Sequence, residues 1–327
     1  MTPAPGGDSQ LPDVAVVLIT YNHEAFIIQS IESVLAQRYD GRIHLVISDD
    51  CSTDRTQQLI AETVARAPRN VIVCPVFRTE NVGGFRNLSD AWVAATATGC
   101  SYIALLEGDD HWSDPSKLAL QVGYLEEHPR ATISFGLAME LILVEDPPSS
   151  KVLFAPPTAH PTYGDLLVGN FIQTCTVLYR AGVLPSFPEW FAECAFRDWP
   201  LHLVHASSGD IHYLDRVVAV HRQHEGSRWW TPSRSQRDRN LATEAIQCLA
   251  VAHLGTRGQV RRGRLVAARH VWRAGSSSNA AERYAHLAIA AVLDPRRAAQ
   301  RVRRGQSPAS ALASPPIARP PTGTPAG

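Results

Sequence analysis

Three clusters of polar side chains follow short apolar runs in this sequence: Thr20-Tyr21-Asn22, Asp49-Asp50 and Glu107-Gly108-Asp109-Asp110. The last gathers three carboxylates within four residues, a concentration that repels itself unless a cation is present. Such an oxygen-rich set suits a hard divalent ion, Mg²⁺ or Mn²⁺, which keeps part of its water and coordinates a phosphate as well. A metal there is expected to bridge the cluster to a diphosphate. A further acid, Asp198, can remove a proton from a hydroxyl if it lies across the same pocket; capping the helix that follows is its plain alternative. Phe196 and Trp199 beside it could form an apolar wall.

The elements that must position these residues can be read from the hydrophobic pattern. Val14 to Ile19, Ile43 to Ser48, Val71 to Val76 and Tyr102 to Leu106 read as buried strands. Between them run helical patterns carrying Ile27, Ile31, Val34 and Leu35, then Leu59, Ile60, Thr63 and Val64, then Leu88, Trp92 and Ala95. Another helix, from Pro115, presents Leu118, Val122 and Leu125. This alternation predicts an α/β fold with an open, mostly parallel sheet flanked by helices, and ligands at the carboxyl ends of its strands. All three polar clusters fall at that edge. Beyond Ala131 the pattern loosens, with strands expected at Thr132 to Leu137, Thr174 to Tyr179, Ile211 to Leu214 and Val217 to His221, and a short helix at Trp199 to Ala206.

The chain of 327 residues has 31 basic and 31 acidic side chains, so its formal net charge is zero. From Gly226 onward there are 17 arginines, no lysine and four acids, a net of +13 that leaves −13 for residues 1–225. The domains expected are a leader over 1–12, a catalytic domain over 13–225, an Arg/Ala-rich helical region over 226–305 and a disordered Pro/Ala/Ser-rich tail over 306–327. Nothing in the overall charge suggests nucleic-acid binding. The six cysteines form no CxxC pair, which argues against a zinc site or a disulfide framework and for a reducing cytosol. No apolar run reaches the length of a membrane span. The basic region has peripheral contact with an anionic membrane face and solvated helix faces as its two readings.

The series LITYN (18–22), SDDCSTD (48–54), ENVGGFRN (80–87), LEGDDHWSDPSKL (106–118) and FRDWPLHL (196–203) resembles the family 2 glycosyltransferases of the GT-A fold, in the family's order over about 13–225. The resemblance implies that Thr20 and Tyr21 approach a nucleoside, that Asp50, next to Asp49, binds the base, commonly uracil, and that Arg86 lies near the nucleotide. It implies Asp109 at the ribose, Asp110 on the metal, and His224 near the metal or diphosphate. Glu107 stands where the family more often has Asp, and shares the metal site in this reading. Asp198 matches the catalytic base. The activity implied is inverting transfer from a nucleotide sugar, UDP-linked, to a saccharide or lipid-linked acceptor in polysaccharide, glycolipid or cell-wall assembly; the localisation expected is cytoplasmic.

Other residues carry weaker signals. Trp112, Trp199, Trp229 and Trp230 are the aromatic candidates for an acceptor lip, with packing below the metal loop as the competing use of Trp112. His202 and His205 are expected as surface or half-buried groups. A receiver-like signalling domain would use Asp49-Asp50 but leaves Glu107 to Asp110 and Asp198 without a role. A sugar-nucleotide pyrophosphorylase lacks support, because no basic phosphate loop follows the first strand. A non-catalytic nucleotide-binding module on the same fold remains as an alternative that substitution of Asp198 would separate.

Overall fold

The computed structural model describes residues 11–153, 155–168, 170–193 and 197–226. The expected helical region, the tail and nearly all of the leader lie outside them. Within the described residues, β1 (Val14–Thr20), β2 (Ile43–Asp49), β3 (Val71–Phe77) and β4 (Tyr102–Glu107) form a parallel sheet in the order β3-β2-β1-β4. Their crossovers are α1 (Ile27–Leu35), α2 (Thr56–Val64) and α3 (Gly84–Ala97). The central strands are apolar on both faces because helices cover both, and Val14 to Leu18 are fully buried.

The second half departs from parallel. After β5 (His111–Trp112) and α4 (Lys117–Glu127), β6 (Ala131–Ile142) and β8 (Leu178–Arg180) enter antiparallel to their neighbours. β9 (Asp210–Gln223) then lies parallel to β6 and antiparallel to β5, and β7 (Ser149–Val152) extends β6 at its far edge. The sheet is therefore mixed beyond β4, where the sequence pattern loosens. The two strands expected at 211–221 are one strand, and the register shift between Gly136 and Leu137 absorbs the polar Asp215-Arg216 step. Gly136 is required there, since a Cβ would stand 2.9 Å from the Arg216 carbonyl. The strand expected at 174–179 is shortened to β8 by a 3₁₀ turn over Thr174–Thr176.

Two helices complete this part, α5 (Tyr163–Val168) and α6 (Asp198–Ser208). In α3 the inward positions are Asn87, Ala91, Trp92 and Ala95, so Asn87 displaces Leu88 from the expected face. The reason is polar: Asn87 accepts from Ser48 Oγ at 2.6 Å and from Arg78 Nε at 2.9 Å, and donates to the Ser48 carbonyl at 2.9 Å. No helix among the described residues is long and apolar enough to cross a membrane.

Candidate active site

Strand register brings the three polar clusters to one edge. Thr20 pairs with Asp49, and Ile19 pairs with Glu107. The loops after β1 and β2 are laced together: Asn22 N–H donates to Ser52 Oγ, Thr53 N–H to Asn22 Oδ1, and Glu24 N–H to Asp54 Oδ2. Asn22 (φ 54°) and Cys51 (φ 63°) take the left-handed conformation that turns the chain at both places.

Within these loops the two aspartates differ. Asp49 is buried and accepts from Ser52 N–H, Ser52 Oγ and Gln57 Nε2, so its carboxylate braces the loop. Asp50, 3% exposed, accepts from Val82 N–H at 2.8 Å, and its own N–H binds the Thr20 carbonyl. Tyr21 is exposed beside them. Arg86 is not brought to the acidic cluster: its exposed guanidinium lies 3.6 Å from Asp90, one turn along α3. Arg78, which the sequence reading passed over, also pairs with Asp90 and donates its N–H to the Asp49 carbonyl.

The loop after β4 is built on a contact that excludes any side chain at Gly108. A Cβ there would meet Thr20 Oγ1 at 2.5 Å and His23 Nδ1 at 2.8 Å. The loop therefore packs directly on the residues that follow β1, and Thr20 Oγ1 hydrogen-bonds His23 Nδ1 at 3.1 Å. That bond turns His23 Nε2 toward Asp109 Oδ2, 3.8 Å away. From the opposite side His224 Nε2 reaches the same oxygen at 3.2 Å. Ligand atoms of His23, Asp109 and His224 all lie within 4.8 Å of one another.

Asp110 points elsewhere. It is 1% exposed, with Oδ1 accepting from Arg222 N–H at 2.9 Å and Oδ2 lying 3.2 Å from His221 Nδ1. Both oxygens are engaged by β9, which is at odds with the metal-binding role expected of Asp110. Asp109 is the aspartate that faces the two imidazoles.

The electrostatics follow from this packing. Burial, with the charges of Asp109 and Asp110, pushes Glu107 up to about 8. Burial opposes a charge on His221, yet its hydrogen bond to Asp110 and the surrounding carboxylates raise it to about 9, so it stands as an imidazolium against Asp110. Burial lowers His23, favouring the neutral imidazole that can ligate a metal.

Asp198 opens α6, and Asn170 Nδ2 donates to its Oδ2 at 2.9 Å. Its negative charge is the last of the named causes that raise Glu107. The tryptophans expected at an acceptor lip behave differently. Trp112 is 4% exposed and Trp199 3%, and their indole N–H groups donate to the Cys175 and Leu166 carbonyls. Both are packing residues, because a buried indole must satisfy its donor inside the protein. Trp199 anchors the start of α6 rather than offering a surface, Phe196 lies outside the described residues, and so do Trp229 and Trp230.

His202 and His205 are fully buried, contrary to the surface setting expected. His202 Nδ1 lies 2.6 Å from Tyr179 Oη, and the His205 ring packs 4.2 Å from Tyr179 and 6.0 Å from Trp92.

Sequence reasoning missed His23, His221, Arg222 and Asn170. The signal available for two of them was the alternation His221-Arg222-Gln223-His224 at a strand end, which presents His221 and Gln223 on one face and Arg222 and His224 on the other.

Residues 15–150 match the model of glycosyl transferase family 2. An uncharacterized protein of Mycobacterium tuberculosis is 37% identical over 219 residues, 66% of this chain and 60% of that protein. The chain thus spans about 60% of the length of that relative. Among solved structures, S. aureus TarS 1–349 in complex with UDP-GlcNAc superposes with a TM-score of 0.64 at 16% identity, covering 88% of this chain and 82% of that one. The mannosyltransferase PcManGT from Pyrobaculum calidifontis, in complex with GDP-Man and Mn²⁺, gives a TM-score of 0.53 at 17% identity over 92% of each chain. At those identities the likeness speaks for the fold, which is that of the GT-A glycosyltransferases. The family model runs from β1 into the start of β7 and takes in the acidic loop, so this part of the chain is similar to glycosyl transferase family 2.

Proposed function

We infer that this chain is an inverting glycosyltransferase that moves a sugar from a nucleoside-diphosphate donor, UDP-linked, to a hydroxyl of a saccharide or lipid-linked acceptor. The observation that carries the reading is the cluster of His23, Asp109 and His224 at the carboxyl edge of the sheet. The donor set fits a divalent ion: two imidazoles and one carboxylate suit Mn²⁺ ahead of Mg²⁺, which prefers oxygen alone. Bound there, the ion neutralises the charge that develops on the departing diphosphate. Thr20 fixes the tautomer and direction of His23, as an outer partner does for a ligating imidazole.

In this reading Asp50, Thr20 and Tyr21 meet the nucleoside, and Glu107 lies next to the diphosphate. Asp198 takes the proton of the acceptor hydroxyl as its oxygen attacks the anomeric carbon. The bond to the diphosphate breaks with its electron pair leaving on the diphosphate oxygen, and the anomeric configuration inverts. The UDP-GlcNAc of TarS and the GDP-Man and Mn²⁺ of PcManGT support a nucleotide sugar and a divalent ion for this fold.

The test is a panel of UDP-, GDP- and dTDP-sugars, each with Mg²⁺ or Mn²⁺, followed by hydrolysis and by protection against thermal unfolding. A UDP-sugar with Mn²⁺ is expected to protect most; a panel in which no nucleotide sugar binds with either ion removes the proposal. Assembly of a cell-surface polysaccharide, and peripheral contact of the basic residues beyond 226 with an anionic membrane, complete the proposal. Association of the full chain with anionic vesicles, lost on deleting 227–327, tests the membrane contact.

A further inference from the structure

The segment between α5 and β8 carries a side chain whose orientation is fixed from two sides. Asn170 Oδ1 accepts the Ile172 backbone N–H at 3.1 Å, and Asn170 Nδ2 donates to Asp198 Oδ2 at 2.9 Å. A backbone N–H can only donate, so it selects the carbonyl end of the carboxamide and turns the amino end toward Asp198. The backbone is itself held: Ile172 is 1% exposed, and Phe171 is buried with its ring 5.7 Å from Phe135. On the other side of the contact, the Trp199 indole pins the first turn of α6 to the Leu166 carbonyl. Donor and acceptor thus sit on two anchored pieces of chain, 28 residues apart in sequence.

We propose that Asn170 is a positioning residue for Asp198, holding one carboxylate oxygen by its amide so that the acid meets the acceptor hydroxyl in one orientation and in its ionised form. The proposal depends on the assignment of Asp198 as the base. A hydrogen bond donated to a carboxylate favours its charged state, and a base held in one geometry gains rate from orientation. Asp198 in turn raises Glu107 at the end of β4 and Tyr179 on β8. On its own element, Arg197 precedes it and His202 follows one turn later, bonded to Tyr179. The Asn170 amide favours the carboxylate with a dipole and no charge.

The experiment compares the full chain with Asn170→Ala and Asn170→Asp. Carboxyl ¹³C NMR follows the titration of Asp198, its resonance identified by loss in Asp198→Asn, and nucleotide-sugar hydrolysis follows turnover. The Asp198 midpoint is expected to rise by about one pH unit in Asn170→Ala and further in Asn170→Asp, where a second carboxylate replaces the donor. Hydrolysis is expected to lose about 10- to 100-fold in kcat, its acidic limb moving to higher pH, with KM for the donor unchanged. Asn170→Asp keeps the side-chain volume and the acceptor for Ile172, so it serves if the alanine variant does not fold. An unmoved Asp198 midpoint in a folded variant overturns the proposal. Full transfer by Asp198→Asn overturns the base assignment instead, and the titration separates the two failures.

Discussion

Asp110 and Arg222 are joined through the backbone of the last strand: the Arg222 N–H donates to Asp110 Oδ1 at 2.9 Å, while the Arg222 guanidinium turns back to the Asp109 carbonyl. One residue of β9 therefore holds two consecutive aspartates, and neighbouring His221 and His224 each take one of their side chains. The two acids of this loop have separate work, one internal and one facing the pocket.

Substitution should separate them. Asp110→Ala removes the carboxylate that holds His221 and leaves the buried Arg222 N–H without its acceptor, and is expected to lower stability by about 1–3 kcal/mol. Asp109→Asn should keep the unfolding free energy within about 1 kcal/mol of the parent and abolish saturable Mn²⁺ binding. Equal loss of metal affinity in a folded Asp110→Asn protein would count against the division.

Gly108→Ala is expected to remove metal binding without touching a ligand. Its methyl group occupies the space of Thr20 Oγ1 and His23 Nδ1, so the loop must withdraw from β1, at a cost of about 1–3 kcal/mol. Titration of Mn²⁺ by calorimetry, with a thermal melt alongside, measures both effects. Binding equal to that of the parent protein would show that the close approach is dispensable.

Replacing Asp198 by Asn should leave nucleotide-sugar binding intact and reduce transfer about 10²- to 10⁴-fold, the usual worth of a positioned base. Protection against unfolding by the donor and turnover, measured on the same sample, distinguish a lost base from a lost fold. Unchanged turnover would make Asp198 only the first acid of α6.

Acid should destabilise the protein through His202 and His205. Burial depresses His202 to about 3 and His205 to about 4, both below the ordinary value of 6.5. The unfolded chain then binds the extra protons, so this contribution is complete above pH 6.5. It falls as the pH drops toward 4 and then 3, by up to about 1.4 kcal/mol per pH unit for each imidazole. Urea unfolding at pH 7 and pH 5 reads the slope, and His202→Gln, which keeps a partner for Tyr179, should flatten it. A slope unchanged by that substitution would assign the acid sensitivity to other groups.

Trp112→Ala should cost about 3–5 kcal/mol of stability, as expected for emptying a buried indole site. A folded variant with parental stability and weakened acceptor use would return Trp112 to the acceptor side of the pocket.

The parallel half of the sheet was legible because β1, β2 and β4 are buried on both faces and therefore uniformly apolar. The place of the acidic loop was legible for a related reason: it directly follows β4, whose uniformly apolar run marks where the strand ends. Less could be read where partners come from far along the chain. His202 and His205 are polar by type, and nothing local announces that Tyr179 and Trp92 bury them. The different settings of Asp109 and Asp110 were likewise invisible, since which of two adjacent acids turns inward depends on β9, more than a hundred residues later. Asn170 reads as an ordinary loop residue until α6 arrives beside it.

The dependence of the acidic loop on β9 also bears on the order in which the protein matures. Residues 15–150 are those that match the family model, yet a nascent chain ending there lacks His221, Arg222 and His224. Its acids would repel one another at the open edge of a sheet still missing β8 and β9, and contacts spanning this distance form slowly. On the proposed function, competence to bind donor should therefore switch on late in synthesis, once the final strand has docked.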